Sequence, residues 1–149
     1  MIRTDKRLRL CTTLLICNLV FIWGNSLLPG EMSGAISDWV KSILIPGNLS
    51  ASSGSGLLRK AAHFTEFTAL GMCLAWLHGM LRKGRIPPFL WGVLAAMVDE
   101  TIQRFVPGRG PSIRDVCIDS AGVLTGIILL WLGHNYLKKR SAYKSLEDI

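Results

Sequence analysis

Phe67-Thr68-Ala69-Leu70-Gly71-Met72-Cys73-Leu74-Ala75-Trp76-Leu77-His78-Gly79-Met80-Leu81 contains no Asp, Glu, Lys or Arg, and this run decides the fold class. A helix at a water-exposed surface shows a charged face once per turn, so a run of this kind belongs in the core of a bilayer. Residues 10–24 and 86–98 are equally free of charge, and 116–133 carries only Asp119. Apolar residues make up 50% of the 149 residues and DEKR 18%, with a mean hydropathy of +0.37. Soluble chains carry about 25% charged residues, so an ordinary soluble domain is excluded. The formal net charge of +7 does not point to nucleic acid. The basic residues stand at the ends of apolar blocks, with no stripe interleaved with aromatics, so the expected partner is the lipid bilayer.

A hydrocarbon core about 30 Å thick takes roughly 20 helical residues. Four spans of that length can be drawn, at about 8–28, 61–81, 87–106 and 115–137, giving an all-α, polytopic four-transmembrane-helix bundle in which 1–149 is one domain. The first has the basic start of a secretion signal (Arg3, Lys6, Arg7, Arg9) but is long and is followed by Gly24-Asn25-Ser26-Leu27 rather than an A-x-A site, so it is read as an uncleaved span. With the amino terminus inside, 11 Lys and Arg fall inside and 6 outside. The positive-inside rule then predicts a multi-pass protein with both termini cytoplasmic.

The external loop at 29–60 is the only long connection. Ile36, Trp39, Val40, Ile43 and Leu44 recur at helical spacing, which predicts a short amphipathic helix over about 34–45 on the outer membrane surface. Pro46-Gly47 stops it, and Ser50-Ala51-Ser52-Ser53-Gly54-Ser55-Gly56 reads as a flexible linker. Cys11, Cys17, Cys73 and Cys117 show neither CxxC nor zinc-ligand spacing and are read as free thiols. Gly122-x-x-x-Gly126 reads as a small-residue packing face, and the five tryptophans as belt or packing residues. His78 and His134 suit the cytoplasmic interface.

Ionisable residues are costly inside a membrane, about 2.5 to 3.5 kcal/mol each at the helix centre on insertion scales. This chain nevertheless carries Lys60, His63 and Glu66 where the second span begins, Asp99, Glu100, Gln103 and Arg104 where the third ends, and Asp115 and Asp119 where the fourth begins. All are predicted at the outer end of the bundle, under the 107–114 turn with Arg109, Ser112 and Arg114. Three readings are open. As an enzyme, the chain would use His63 and Glu66 as acid and base, with Asp99 and Glu100 as further catalytic candidates. As a binding site, Lys60, Gln103, Arg109, Ser112, Arg114, Asp115 and Asp119 would hold a polar headgroup, guanidinium groups suiting phosphate or carboxylate. Five acids and a histidine equally suit a divalent cation. In the third reading the ions only pin the helices of a structural or assembly subunit. Ser112 can serve the cluster or cap the fourth span, since Ser112-x-x-Asp115 has capping-box spacing.

Ser26-x-x-Pro29, Lys60-x-x-His63-Phe64, Asp99-Glu100-x-x-Gln103-x-Phe105-x-Pro107-Gly108-Arg109, Ser112-x-x-Asp115 and Gly122-x-x-x-Gly126 together resemble the VanZ-like family of small bacterial membrane proteins, over about residues 20–130. Two positions depart from the family pattern: Phe67 stands where Tyr is usual, and Asp119 where Asn is usual. The first removes a hydroxyl near His63 and the second adds a carboxylate. The resemblance implies a bacterial cell envelope, an outward-facing site and a link to resistance against the lipoglycopeptide teicoplanin. The molecule held would then be a lipid-linked cell-wall precursor or a lipoglycopeptide.

Overall fold

The computed structural model describes residues 2–44, 53–81 and 86–147. The described chain is all-α, with helices α1 (Ile2–Ser26), α2 (Gly30–Leu44), α3 (Ser53–Leu81), α4 (Pro88–Gln103) and α5 (Ile113–Glu147). The charge-free runs 10–24 and 67–81 lie wholly within α1 and α3, because a run without Pro keeps its backbone polar groups bonded to one another, and the run 86–98 becomes helical from Pro88, the first residue of α4. Two helices, over Asp5–Ser26 and Ile113–Ser141, are long and apolar enough to cross a membrane. Helix α3 carries Arg59, Lys60, His63 and Glu66 in its first half, and α4 has 16 residues, about 24 Å, so neither matches a 30 Å apolar span as cleanly.

The boundaries differ from expectation in physically interpretable ways. Residues 53–56, read as linker, are the first turn of α3, since propagating an existing helix adds a hydrogen bond for each residue fixed. Helix α2 starts at Gly30, directly after Pro29, earlier than the predicted 34. The Gly30 amide donates to the Pro107 carbonyl at 3.0 Å, and a Cβ at Gly30 would overlap the Gly108 backbone. Gly108 has φ +73°, a conformation that a side chain resists. Pro46-Gly47, residues 50–52 of the linker and the Arg82-Lys83-Gly84-Arg85 turn lie outside the described residues.

The core is small and centred on Ile22, Phe67, Leu70, Ala95, Ala96 and Val123. Helix α5 lies against α3 with backbone almost in contact. A Cβ at Gly122 would stand 2.6 Å from the Phe64 carbonyl oxygen, and one at Gly126 would overlap that of Thr68. Val123, between them, fits against Gly71 of α3 and Gly92 of α4, so one valine keys three helices. Phe67 is fully buried in this core, where a Tyr hydroxyl would need a partner. Many large apolar side chains face outward instead, among them Leu14, Val20 and Phe21 of α1, Trp91, Leu94 and Met97 of α4, and Ile128, Leu129 and Trp131 of α5. The four cysteines are free, with Cys11 buried and its thiol 3.6 Å from the Cys73 carbonyl.

Candidate functional site

Helices α1 and α4 end where α3 and α5 begin, so alternating chain direction collects their polar residues at one end of the bundle. These residues divide into groups that tie helices together and groups that are left free.

The ties are specific. Lys60 Nζ lies 3.4 Å from Asp115 Oδ1, joining α3 to α5. Glu100 Oε2 accepts the Ser112 backbone N–H at 2.7 Å, placing a carboxylate from α4 at the positive end of α5. Ser112 occupies the capping position through its backbone, its carbonyl accepting from the amides of Asp115 and Val116. Gln103 Nε2 donates to Asp99 Oδ2 at 2.8 Å and to Ser26 Oγ at 3.3 Å, linking α4 to α1. Arg109 donates from Nε to the Leu28 carbonyl (3.0 Å) and from Nη2 to the Asn25 carbonyl (2.9 Å). Those carbonyls sit at the end of α1, where the Asn25 carbonyl also accepts the Leu28 amide at 3.2 Å, so Arg109 adds a side-chain cap to α1 from a distant turn. Burial, and secondarily Arg59, pull the Arg109 guanidinium below its ordinary value, but an arginine remains cationic throughout.

The free groups lie beside these ties. Asn25 Nδ2 donates to Glu66 Oε1 at 2.9 Å, while Glu66 Oε2 is buried without a partner. His63 Nδ1 stands 3.7 Å from Asp99 Oδ2 and 3.9 Å from Asp119 Oδ1. Asp99 and Asp119 are fully buried, and Asp99 Oδ1, both Asp119 oxygens and Arg109 Nη1 lack hydrogen-bond partners. His63, Asp99 and Asp119 form a set with metal-ligating atoms grouped together.

A cavity of about 340 Å³ opens between α2 and α3 next to this cluster. Ile36, Val40, Leu58, Ala61 and Ala62 give it an apolar lining, and Asn25, Ser33, Ser37, Arg59, His63, Thr65 and Arg109 add polar groups. A smaller hollow of about 10 Å³, roughly the volume of one water, touches His63, Gln103, Asp115 and Asp119 on the other side. His63 is thus shared between the two spaces.

Of the residues singled out in sequence, His63, Glu66, Asp99, Gln103, Arg109 and Asp119 meet in the interior. Lys60, Glu100, Ser112 and Asp115 form the adjoining ties. Arg114 is exposed and lines neither space. Asn25, Ser26 and Arg59 belong to the assembly although sequence reasoning gave them no role in the site. Arg59 had a signal: it stands at i, i+4 and i+7 with His63 and Glu66, on the same helix face.

The VanZ/LLP1 family model matches residues 11–134, and the chain belongs to that family. No curated protein and no solved structure matches it.

Proposed function

We propose that this VanZ/LLP1-family chain is a four-span protein of the bacterial cytoplasmic membrane, with both termini cytoplasmic, that binds the anionic head of an amphiphilic envelope molecule at its outer face. The orientation follows from the 11 to 6 distribution of Lys and Arg. The outward-facing apolar side chains of α1, α4 and α5 support immersion in lipid, since soluble monomers rarely expose apolar patches beyond a few hundred Å². Helix α2 then lies along the outer surface and roofs the cavity.

The observation that carries the binding reading is the cavity's mixed lining of aliphatic side chains and guanidinium groups. A volume of about 340 Å³ falls at the lower end of ligand pockets, with aliphatic walls suited to a hydrocarbon chain. Among the lining residues, Arg59 and the free Nη1 of Arg109 offer guanidinium donors suited to phosphate or carboxylate. A lipid-linked wall precursor or a lipoglycopeptide such as teicoplanin has this form, and sequestering it would connect the site to antibiotic resistance. The competing structural reading draws on the ties made by Lys60, Glu100, Gln103 and Arg109. It leaves unexplained why Glu66, Asp99 and Asp119 each carry a buried oxygen that binds nothing.

The test is a titration of the purified protein in lipid nanodiscs with undecaprenyl phosphate, undecaprenol and teicoplanin, read by native mass spectrometry. The phosphate and teicoplanin should be retained and undecaprenol should not. Arg59→Gln should weaken retention about tenfold or more, the value of one charge-assisted hydrogen bond. Retention of the alcohol equal to that of the phosphate would refute anion recognition. Recovery of the lipid unchanged would limit the role to binding, whereas a cleaved or transferred head would bring His63 and Glu66 in as acid and base.

A further inference from the structure

The spacing of His63, Asp99 and Asp119 is anomalous for a purely hydrogen-bonded cluster. At 3.7 and 3.9 Å, the contacts of His63 Nδ1 with the two carboxylates are too long for hydrogen bonds. Two ligands sharing one ion through bonds of about 2.0–2.2 Å stand roughly 3 to 4.3 Å apart, depending on the angle between them, so both separations fit ligands of one ion as well as a direct ion pair.

Charge and satisfaction argue the same way. The Asp119 side chain is 1% exposed and neither of its oxygens has a partner, although it points at His63. Asp99 is fully buried with Oδ1 unpartnered. Burying one carboxylate without compensation is strongly unfavourable, and two beside a single imidazole leave negative charge uncancelled even when the imidazole is protonated. Lys60 is drawn to Asp115, and Arg109 spends two of its nitrogens on α1. The arrangement around the three residues is also that of a supported site. Gln103 donates to Asp99 Oδ2 at 2.8 Å, as outer partners hold metal ligands. The one-water hollow against His63 and Asp119 leaves room for a further ligand.

We propose that His63, Asp99 and Asp119 bind one divalent transition-metal cation, Zn²⁺ or Mn²⁺, in the interior of the bundle. One imidazole with two carboxylates is a mixed nitrogen and oxygen set, which suits these ions better than Ca²⁺ or Mg²⁺. Three protein ligands leave a position open, next to the hollow lined by His63 and Asp119. The inference does not depend on the amphiphile, and its test contains none.

The full chain, extracted in detergent and stripped with a chelator, is titrated with Zn²⁺ and separately with Mn²⁺, desalted, and analysed for bound metal. One equivalent of at least one ion should remain, with a raised unfolding temperature. Asp119→Asn and His63→Gln should each lower affinity at least tenfold, and Gln103→Met, which removes no ligand, about 10- to 100-fold. If those variants fail to fold, the wild-type protein loaded with Co²⁺ still decides. Its spectrum should show d–d bands of a nitrogen and oxygen set without thiolate charge transfer. No retained metal in folded wild-type protein, uptake unchanged in the folded variants, or a thiolate band from the free cysteines would each overturn the proposal.

Discussion

Arg109 Nη2 donates to the Asn25 carbonyl at 2.9 Å, across 84 positions of chain, so the turn after α4 closes the end of α1. The same guanidinium reaches the Leu28 carbonyl through Nε. A lysine keeps the charge but cannot make this fork. Arg109→Lys should therefore destabilise the protein by about 1–3 kcal/mol, and Arg109→Ala by at least as much, because the part-buried Leu28 and Asn25 carbonyls lose their charged donor. Thermal unfolding of detergent-purified protein checks this. Full stability of Arg109→Lys would show that charge alone is what this position supplies.

The α3–α5 seam makes a sharper prediction. Gly126 has no room for a side chain against Thr68, whereas Gly24 on α1 has nothing within 4 Å of its would-be Cβ. Gly126→Leu should lower stability by about 3 kcal/mol or more and reduce yield, since backbone rather than a flexible side chain stands in the way. Gly24→Leu should be close to neutral. Comparable losses from both would remove the seam from the account.

Topology can be read by cysteine accessibility. In a background with the four native cysteines replaced by alanine, Ser42→Cys on α2 should react with a membrane-impermeant maleimide added to intact cells. Ser141→Cys, in the last part of α5, should react only after lysis. The reverse pattern would invert the bundle and place the polar cluster at the cytoplasmic face.

The helices were legible in the sequence because an apolar run such as 67–81, free of Pro, satisfies its backbone polar groups internally as a helix. Much of the polar cluster was legible too, because helical offsets put His63 with Glu66, Asp99 with Gln103 and Asp115 with Asp119 on shared faces, and helices alternating in direction bring those faces to one end. Contacts that depend on a turn were not. Arg109 and Arg114 are equivalent in sequence, yet the positive φ of Gly108 sends Arg109 onto α1, while Arg114 follows the first turn of α5 to the exposed side. Asn25 and Ser26 enter the cluster only because α1 ends beside α3 and α4, which no spacing within α1 encodes. The cavity was invisible for the same reason. It needs α2 to pack against α3, and that follows from Gly30 docking on the Pro107–Gly108 backbone.

The cavity itself can be tested by filling it. Ala62 lines the wall on α3 and is exposed, so Ala62→Trp should be tolerated in folding while occupying space a hydrocarbon chain would use. Retention of undecaprenyl phosphate should fall about tenfold or more with the unfolding temperature little changed, the displaced chain segment being worth about 0.8 kcal/mol per methylene. Undiminished retention would place the chain elsewhere.

The most direct measurement is photo-crosslinking in nanodiscs with undecaprenyl phosphate bearing a diazirine near its head, followed by peptide mapping. The account predicts adducts concentrated at Ile36 and Val40 of α2 and Leu58 to Ala62 of α3, abolished by excess unlabelled undecaprenyl phosphate. Adducts spread over the outward side chains of α1, α4 and α5, such as Phe21, Trp91 and Ile128, and undiminished by the competitor, would contradict it.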